Sequence, residues 1–208
     1  MPTRKYRPGK IVCVGRNYRE HAKELGNEVP KEPLIFLKPP SSVVWENDAI
    51  RLPGASSKVE HDGEIGVVVG KTLSWVSELD AARGIRGIIA VNDVTARDLQ
   101  KSDGQWTRAK GFDTFCPLGE ESSKLPDLDS LSVVTRVNGV ERQRGKSSEM
   151  VFSIPSLLAY ISRIMTLEPG DLVATGTPAG VGPLNAGDVV EVEIPGVSRV
   201  TNPVQESR

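Results

Sequence analysis

Apolar residues along this chain occur mostly in short runs that are rich in β-branched side chains and are interrupted by glycine and proline. Such runs predict strands, here at residues 11–14, 34–37, 65–69, 85–91, 131–137, 189–194 and 197–200. Asn138-Gly139 predicts a tight hairpin, because both residues tolerate positive φ. Pro195-Gly196 predicts a turn between the last two strands.

Helical patterns are fewer and shorter. Residues 17–25 predict a polar helix that ends at Gly26. Thr95 and Asp98 resemble a capping arrangement for a second helix, and Ser153-Ile154-Pro155 leads into a third with an apolar face. Residues 202–208 predict a flexible tail. The fold class predicted for residues 1–208 is therefore a single strand-rich α+β domain with few short helices.

Composition excludes several classes of protein. The 208 residues suit one domain. The 26 basic and 27 acidic residues are well mixed, so no basic patch predicts binding to nucleic acid. No apolar run approaches the roughly 20 residues that span a bilayer, and the start lacks a secretory pattern, which predicts a cytoplasmic protein without membrane contact. The two cysteines are too few for a disulfide framework.

The segment around Asp62-Gly63-Glu64 is the most informative. Side chains alternate along a strand, so Asp62 and Glu64 project to the same side, and Glu60 joins them if the strand begins early. Two adjacent carboxylates repel unless a cation or protons relieve them, and a hard cation such as Mg²⁺ or Mn²⁺ would do so. The alternative is an exposed strand edge whose charges discourage pairing.

A third acid, Asp93, follows the apolar run 85–91. Acids at a strand's end often line a site, because the scaffold holds such loops rigidly; the alternative is a turn residue. His21 and Glu24 are three residues apart in the first predicted helix, so they share a face, and the carboxylate can orient the imidazole as a general base. The alternative there is a solvated helix face.

Several motifs in order make the sequence similar to the fumarylacetoacetate hydrolase family, especially its acylpyruvate hydrolase and oxaloacetate decarboxylase-like branch. The resemblance covers residues 11–183. It is carried by Gly15-Arg16-Asn17-Tyr18, Asp62-Gly63-Glu64, the run from Asn92 to Asp98, the run from Trp106 to Lys110, and Thr175-Gly176-Thr177-Pro178. It implies mixed sheets rolled into a distorted barrel, and a homodimer.

The resemblance also implies roles for individual residues. It places a divalent cation, Mg²⁺ or Mn²⁺, on Asp62, Glu64 and Asp93, although the family usually has Glu where this chain has the shorter Asp62. It places His21 and Glu24 on a lid helix as a water-activating pair, and Lys110 in the site against developing charge. By the same matching, substrate contacts fall on Arg16, Gln100 and Thr177. His61 would have a supporting role beside Asp62.

The function predicted on this basis is metal-dependent hydrolysis of the carbon–carbon bond of a 3-acylpyruvate-type (2,4-dioxo) acid, which gives pyruvate and a carboxylic acid. One alternative uses the same site to decarboxylate oxaloacetate or to tautomerise or isomerise a small dioic acid. Another is a non-catalytic binding module on an inherited fold. In each enzymatic case the partner is a small keto acid.

Overall fold

The structure is a computed structural model that describes residues 7–24, 26, 28–122 and 124–207. The strands are β1 Ile11–Gly15, β2 Leu34–Lys38, β3 Val43–Val44, β4 Ile50–Leu52, β5 Val59–His61, β6 Gly63–Val69, β7 Ile85–Asn92, β8 Thr95–Ala96, β9 Cys116–Pro117, β10 Ser132–Val137, β11 Val140–Lys146, β12 Leu172–Ala174, β13 Gly182–Pro183, β14 Val189–Ile194 and β15 Ser198–Glu206. The α-helices are α1 Arg19–Glu24, α2 Glu78–Arg83, α3 Arg97–Asp103, α4 Thr107–Lys110 and α5 Ile154–Ser162. Short 3₁₀ turns cover Pro40–Ser42, Leu128–Ser130 and Ser147–Glu149.

Two five-stranded sheets dominate the fold. The central sheet has the order β2-β1-β12-β6-β7, and the outer sheet has the order β11-β10-β14-β15-β4. Smaller sheets, β13-β5-β8 and β3-β9, complete the set in the described part of the chain. The central sheet is mixed, because β1 and β12 are parallel while its other three pairs of neighbouring strands are antiparallel. The α+β, strand-rich prediction is confirmed. No sheet in these ranges closes on itself, so the predicted barrel is not confirmed.

The core lies on both faces of the central sheet. On one face, Val67 of β6 belongs to a buried cluster that includes Leu157 of α5 and Val192 of the outer sheet. On the other face, Val68 packs in a second cluster with the two free cysteines, Cys13 and Cys116. Burial on both faces explains why these strands are continuous apolar runs rather than alternating ones.

Most predicted elements are found within a residue or two of their expected ends. Asn138 and Gly139 have φ of 53° and 76° and connect β10 to β11, which confirms the hairpin. Gly196, with φ of 72°, lies in the turn between β14 and β15. Ser153 caps α5 by accepting a hydrogen bond from the Ser156 backbone N–H. No helix in the described ranges is long and apolar enough to cross a membrane.

Two predicted elements were wrong. The flexible tail is instead the second half of β15, which pairs with β14 and, in parallel, with β4; Asn202 anchors it by donating to the backbone oxygens of Trp45 and Asp48. Thr95 does not cap α3, because Ala96 occupies the N-cap position, without a side-chain cap, and the Thr95 hydroxyl contacts Asp62 in the site. Helices α2 and α4 were not predicted, since each is short and mostly polar.

Candidate active site

One cavity of ≈ 460 Å³ collects nearly all of the predicted site residues. It is lined by Val14, Gly15, Arg16, His21, Phe36, Asp62, Glu64, Asp93, Arg97, Gln100, Lys101, Trp106, Lys110 and Thr177. Of the nine candidates from the sequence, only Glu24 is outside this lining, and it lies directly behind His21, to which it is hydrogen-bonded. Segments that are far apart in sequence thus converge on one concave surface, as expected for a binding site.

The acidic turn is fixed between two strands. Asp62 lies between β5 and β6, where its backbone N–H donates to the Asn92 side chain at 3.1 Å and its carbonyl accepts from the Asp93 N–H at 2.8 Å. A side chain at Gly63 would place a Cβ only 1.9 Å from the Thr135 hydroxyl oxygen, so this position requires glycine. The tight packing holds Asp62 and Glu64 toward the cavity, on the same side as predicted.

Asp62 is surrounded by cationic and hydroxyl donors. One carboxylate oxygen accepts from Arg97 at 2.6 Å; the other accepts from the Thr95 hydroxyl at 2.8 Å and from Lys110 Nζ at 3.3 Å. Burial alone would raise the pKa of Asp62, but the Arg97 and Lys110 charges outweigh it and hold that pKa well below its usual range. Asp62 is therefore ionised throughout the physiological range.

Asp93 holds two buried lysines. Its Oδ1 lies 2.7 Å from Lys38 Nζ, and its Oδ2 accepts from Lys110 Nζ at 2.5 Å. Lys38 completes its contacts by donating to the Val94 carbonyl at 3.1 Å. Burial lowers the pKa of Lys110, yet the Asp93 and Asp62 carboxylates raise it above its ordinary value. Lys110 is consequently a permanent ammonium group between two carboxylates.

Glu64 differs from its neighbours. One of its carboxylate oxygens accepts from the Gly176 backbone N–H at 2.8 Å, in a glycine-rich loop where Gly176 has φ of 101°. Burial, followed by the nearby Asp93 charge, raises the pKa of Glu64 well above its ordinary value. Ionisation of Glu64 is therefore unfavourable in these surroundings, and a nearby cation would make it favourable.

The donor set is compatible in kind with a hard divalent cation, because Asp62, Glu64 and Asp93 are three buried carboxylates on one cavity wall. Their arrangement is not that of an assembled site. Within the described residues, no three side chains of His, Cys, Asp or Glu are placed so that they could hold one metal ion. The physical reason is that Lys110 Nζ lies between Asp62 and Asp93.

His21 and Glu24 form the predicted pair. His21 Nδ1 lies 3.3 Å from Glu24 Oε2, and the Glu24 carboxylate also accepts from the Gly180 backbone N–H at 3.0 and 3.2 Å. Burial lowers the pKa of His21 despite the opposing effects of Asp62 and Glu24, so the ring is neutral at pH 7. With Nδ1–H donated to Glu24, Nε2 is the basic nitrogen.

The predicted substrate contacts Arg16, Gln100 and Thr177 also line the cavity. Sequence reasoning assigned no role to several other lining or supporting residues, namely Phe36, Lys38, Arg97, Lys101 and Trp106. Arg97 and Trp106 lie inside the matched motifs, which was a usable signal. Phe36 and Trp106 meet edge-to-face with ring centroids 5.2 Å apart, and Lys110 Nζ lies 4.9 Å from the Phe36 centroid.

Two other residues of the acidic segment take supporting positions. Glu60 is outside the cavity lining and is held by Arg97 at 2.8 Å and Lys58 at 3.1 Å, so it does not join Asp62 and Glu64. His61 is buried, and its Nδ1 lies 2.9 Å from Gln143 Oε1. The supporting position predicted for His61 therefore agrees with the geometry.

Comparison with known proteins gives consistent matches over most of the chain. It is 46% identical to an oxaloacetate tautomerase of Arabidopsis thaliana, covering 96% of this chain and 93% of the relative. It is 44% identical to an oxaloacetate decarboxylase of Dictyostelium discoideum, covering 90% and 89%. The crystal structure of 5-carboxymethyl-2-hydroxymuconate delta-isomerase from Mycobacterium smegmatis superposes with a TM-score of 0.90 at 43% identity, covering 97% of this chain and 80% of that one.

A family model also matches almost the whole chain. The model for the fumarylacetoacetate (FAA) hydrolase C-terminal region aligns with residues 10–205. This range includes every element from β1 to β14, all of β15 except Glu206, and all the residues that line the cavity. The resemblance inferred from the motifs is confirmed, and the chain belongs to the fumarylacetoacetate hydrolase family of enzymes.

Proposed function

We propose that this protein is an enzyme that interconverts the keto and enol forms of oxaloacetate or a similarly small 2-oxo dicarboxylic acid, with a divalent cation at the site. The observation that carries the proposal is the placement of His21, a neutral base, in the same cavity as three carboxylates and several cationic side chains. Enolisation requires a base at the carbon next to the keto group and positive charge near the keto oxygen.

The charges of the cavity support a dianionic substrate. Four cationic side chains line it, and three carboxylates oppose them; the cations are Arg16, Arg97, Lys101 and Lys110. A divalent cation held by the carboxylates would leave the cavity positive overall. The names of the Arabidopsis and Dictyostelium relatives, both of which specify oxaloacetate, support the same substrate class.

The residues that would hold the cation are Asp62, Glu64 and Asp93. The cation would act as a Lewis acid that polarises the 2-oxo group. His21 Nε2 would take the proton from C3 and return one in the reverse direction, while Glu24 keeps Nδ1 protonated and the ring oriented. Lys110, a fixed ammonium, would stabilise negative charge that develops on the substrate.

Hydrolysis of a 3-acylpyruvate remains a second candidate, and one observation favours it. The His21–Glu24 pair that could remove a C3 proton could equally deprotonate a water molecule. Decarboxylation of oxaloacetate is a further candidate: the keto form loses CO₂, and the electron pair of the broken carbon–carbon bond forms the enolate of pyruvate, so no base is needed for that step. It is supported by the name of the Dictyostelium relative.

The test uses one preparation in three assays: ketonisation of oxaloacetate enol, release of CO₂ from oxaloacetate, and cleavage of a panel of acylpyruvates. Each assay is run with Mg²⁺, Mn²⁺ or EDTA. We expect metal-dependent tautomerisation to be fastest. His21→Ala should reduce tautomerisation by about 10²–10⁴-fold and largely spare decarboxylation. Lys23→Ala, on the exposed side of the same helix, is the matched control. Full activity in EDTA would refute the proposed role of the cation. Acylpyruvate cleavage that is faster than tautomerisation would make hydrolysis the main function.

We also propose that the protein works as a homodimer. Strand β2 is at the edge of the central sheet and exposes Leu34 and Leu37, which is unusual for an unpartnered edge. Light scattering coupled to size-exclusion chromatography would measure the mass directly. A mass of one chain, 22.5 kDa, would contradict the proposal.

A further inference from the structure

Gln143 is a buried polar residue on an otherwise exposed strand. It lies on β11, where Arg142 and Arg144 on either side are exposed, yet only 1% of Gln143 is accessible. It does not line the cavity and was not singled out by any motif. Burial of an uncharged amide is unfavourable unless its hydrogen bonds are made, so the contacts of Gln143 indicate what this residue does.

The Gln143 side chain joins two segments of the active site through four hydrogen bonds. Its Oε1 accepts from His61 Nδ1 at 2.9 Å and from the Gly63 N–H at 3.0 Å. Its Nε2 donates to the Thr177 hydroxyl at 2.7 Å and to the Pro178 carbonyl at 2.8 Å. The two donors on one side and the two acceptors on the other fix the orientation of the amide. Gln143 thereby ties the acidic turn to the loop that contains Thr177.

That loop rests on β11 over several residues. A Cβ at Gly180, where φ is 98°, would lie 2.1 Å from the Arg142 carbonyl oxygen, and a Cβ at Gly145 would lie 2.6 Å from Pro178 Cβ. The loop and the strand are therefore in close contact on both sides of Gln143. Because the backbone is so tightly seated, a shift at Pro178 would move Gly180 as well.

The loop in turn holds the base. The Gly180 N–H donates to the Glu24 carboxylate, and Glu24 is the partner of His21 Nδ1. A continuous path of contacts thus leads from Gln143 through the loop to His21, while the other half of the amide contacts the acidic turn directly.

We propose that Gln143 is a positioning residue that fixes the position of the acidic turn relative to the His21 base. Removal of the amide should loosen both halves of the site without removing any group that faces the cavity. The expected loss of catalytic rate rests on the proposed function, whereas the expected change in the positions of the two segments can be measured without substrate.

The chain offers a direct reporter, because it contains only two histidines, one at each end of this path. We would record ¹⁵N-detected imidazole spectra of the protein in Mg²⁺ buffer without substrate. In the wild type both rings should be neutral with the proton on Nδ1. In Gln143→Met, His61 should lose that preference and His21 should shift to a mixture of tautomers. The kcat of the metal-loaded enzyme should fall about 10- to 100-fold. Gln205→Met, at an exposed position, is the matched control.

Gly180→Ala tests the path itself. It disturbs the loop and the Glu24 contact but removes no hydrogen-bonding group from Gln143, so the His21 signals should change more than those of His61. If Gln143→Met does not fold, Gln143→Glu replaces it. That side chain keeps an acceptor for His61 but offers the loop at most one donor, so His21 should lose its preference for a proton on Nδ1 while His61 keeps a proton there.

Two results would overturn the inference. The first is a folded Gln143→Met protein in which only His61 changes and kcat stays within about twofold of the wild type. The second is a Gly180→Ala protein with unaltered His21 signals. If the histidine signals behave as expected but no keto acid is turned over, the positioning role stands and the proposed function fails.

Discussion

The acidic floor of the cavity, formed by Asp62, Glu64 and Asp93, differs in construction from helix α1, which is called the lid helix after the role that the family resemblance implies. The floor is made of residues within or directly beside strands β5, β6 and β7. All three are nearly inaccessible, and two of them are held by short ion pairs to buried lysines or Arg97. The lid has six helical residues, and its base is oriented by Glu24, whose side chain is 33% exposed.

This difference separates what each region can contribute. Fixed charges require a rigid surround, because removal of one partner leaves a buried charge uncompensated. A proton-transferring base requires correct orientation and an accessible neutral form, and a short helix with few contacts can also move. Substitutions in the floor should therefore change stability together with activity, whereas substitutions of the functional pair in the lid should mainly change activity.

Asp93→Ala should have the largest effect. It leaves Lys38, whose side chain is fully buried, without its carboxylate and removes the shorter partner of Lys110. Loss of one member of a buried pair typically lowers the free energy of unfolding by about 3–5 kcal/mol, and activity should be lost. Urea denaturation measures the first effect. Glu141→Ala, which removes an exposed ion pair with Arg144, should leave stability unchanged. Equal effects of both substitutions would contradict a rigid floor.

His21→Ala should reduce tautomerisation by about 10²–10⁴-fold, the usual contribution of a positioned base. The free energy of unfolding should fall less than in Asp93→Ala, because within the described part of the chain the buried ring makes one hydrogen bond, at 3.3 Å, and its loss strands no buried charge. Steady-state kinetics and thermal unfolding of the same samples check both statements. A variant that loses stability as much as Asp93→Ala would remove the distinction between lid and floor.

Two glycines sharpen the comparison. Gly63→Ala, in the floor, brings a Cβ to 1.9 Å from the Thr135 hydroxyl and should cost about 1–3 kcal/mol of stability. Gly26→Ala, just past the lid helix, meets no atom of the described residues within 4 Å. Its φ of 68° opposes the substitution and costs about 1–2 kcal/mol. Thr135→Ala should recover part of the loss at Gly63 and none of the loss at Gly26, as denaturation of the double variants would reveal.

The pH dependence should be the mildest effect. Burial lowers the pKa of His21 from 6.5, so its basic form persists below that pH. We expect kcat/KM to be flat from pH 8 to below pH 6.5 and then to fall about tenfold per unit. The unfolded chain, with the higher histidine pKa, takes up a proton first as pH falls through about 6.5, so stability also declines there. A fall of kcat/KM at acid pH with its midpoint above pH 6.5 would contradict the assignment of His21 as a buried neutral base.

The sequence predicted the floor better than its surroundings. Strand alternation placed Asp62 and Glu64 on one side, and the end of the strand 85–91 placed Asp93 near them, because both signals are local. Lys38 could not be assigned in this way. It closes an apolar strand like many surface lysines, and only the folded sheet brings its ammonium to a carboxylate 55 positions away.

Gln143 and β15 were missed for two different reasons. Gln143 looks like one polar residue among several on a hairpin strand, and its burial depends on a loop more than thirty residues further along the chain. The second half of β15 did carry a signal, since Val200 and Val204 keep the two-residue period. Asn202 and Pro203 obscured it, because a buried asparagine that binds backbone oxygens is indistinguishable in sequence from a loop residue.

Lys101 and Lys110 also differ in a way that affects how a charged molecule arrives. Lys101 is exposed at the edge of the cavity, and Lys110 is buried inside it. Dissolved ions screen exposed charges over a Debye length of about 8–10 Å at moderate ionic strength, and they screen buried charges much less. Added sodium chloride should therefore slow the encounter with a dianion, which lowers kcat/KM, and leave the turnover of the bound molecule almost untouched.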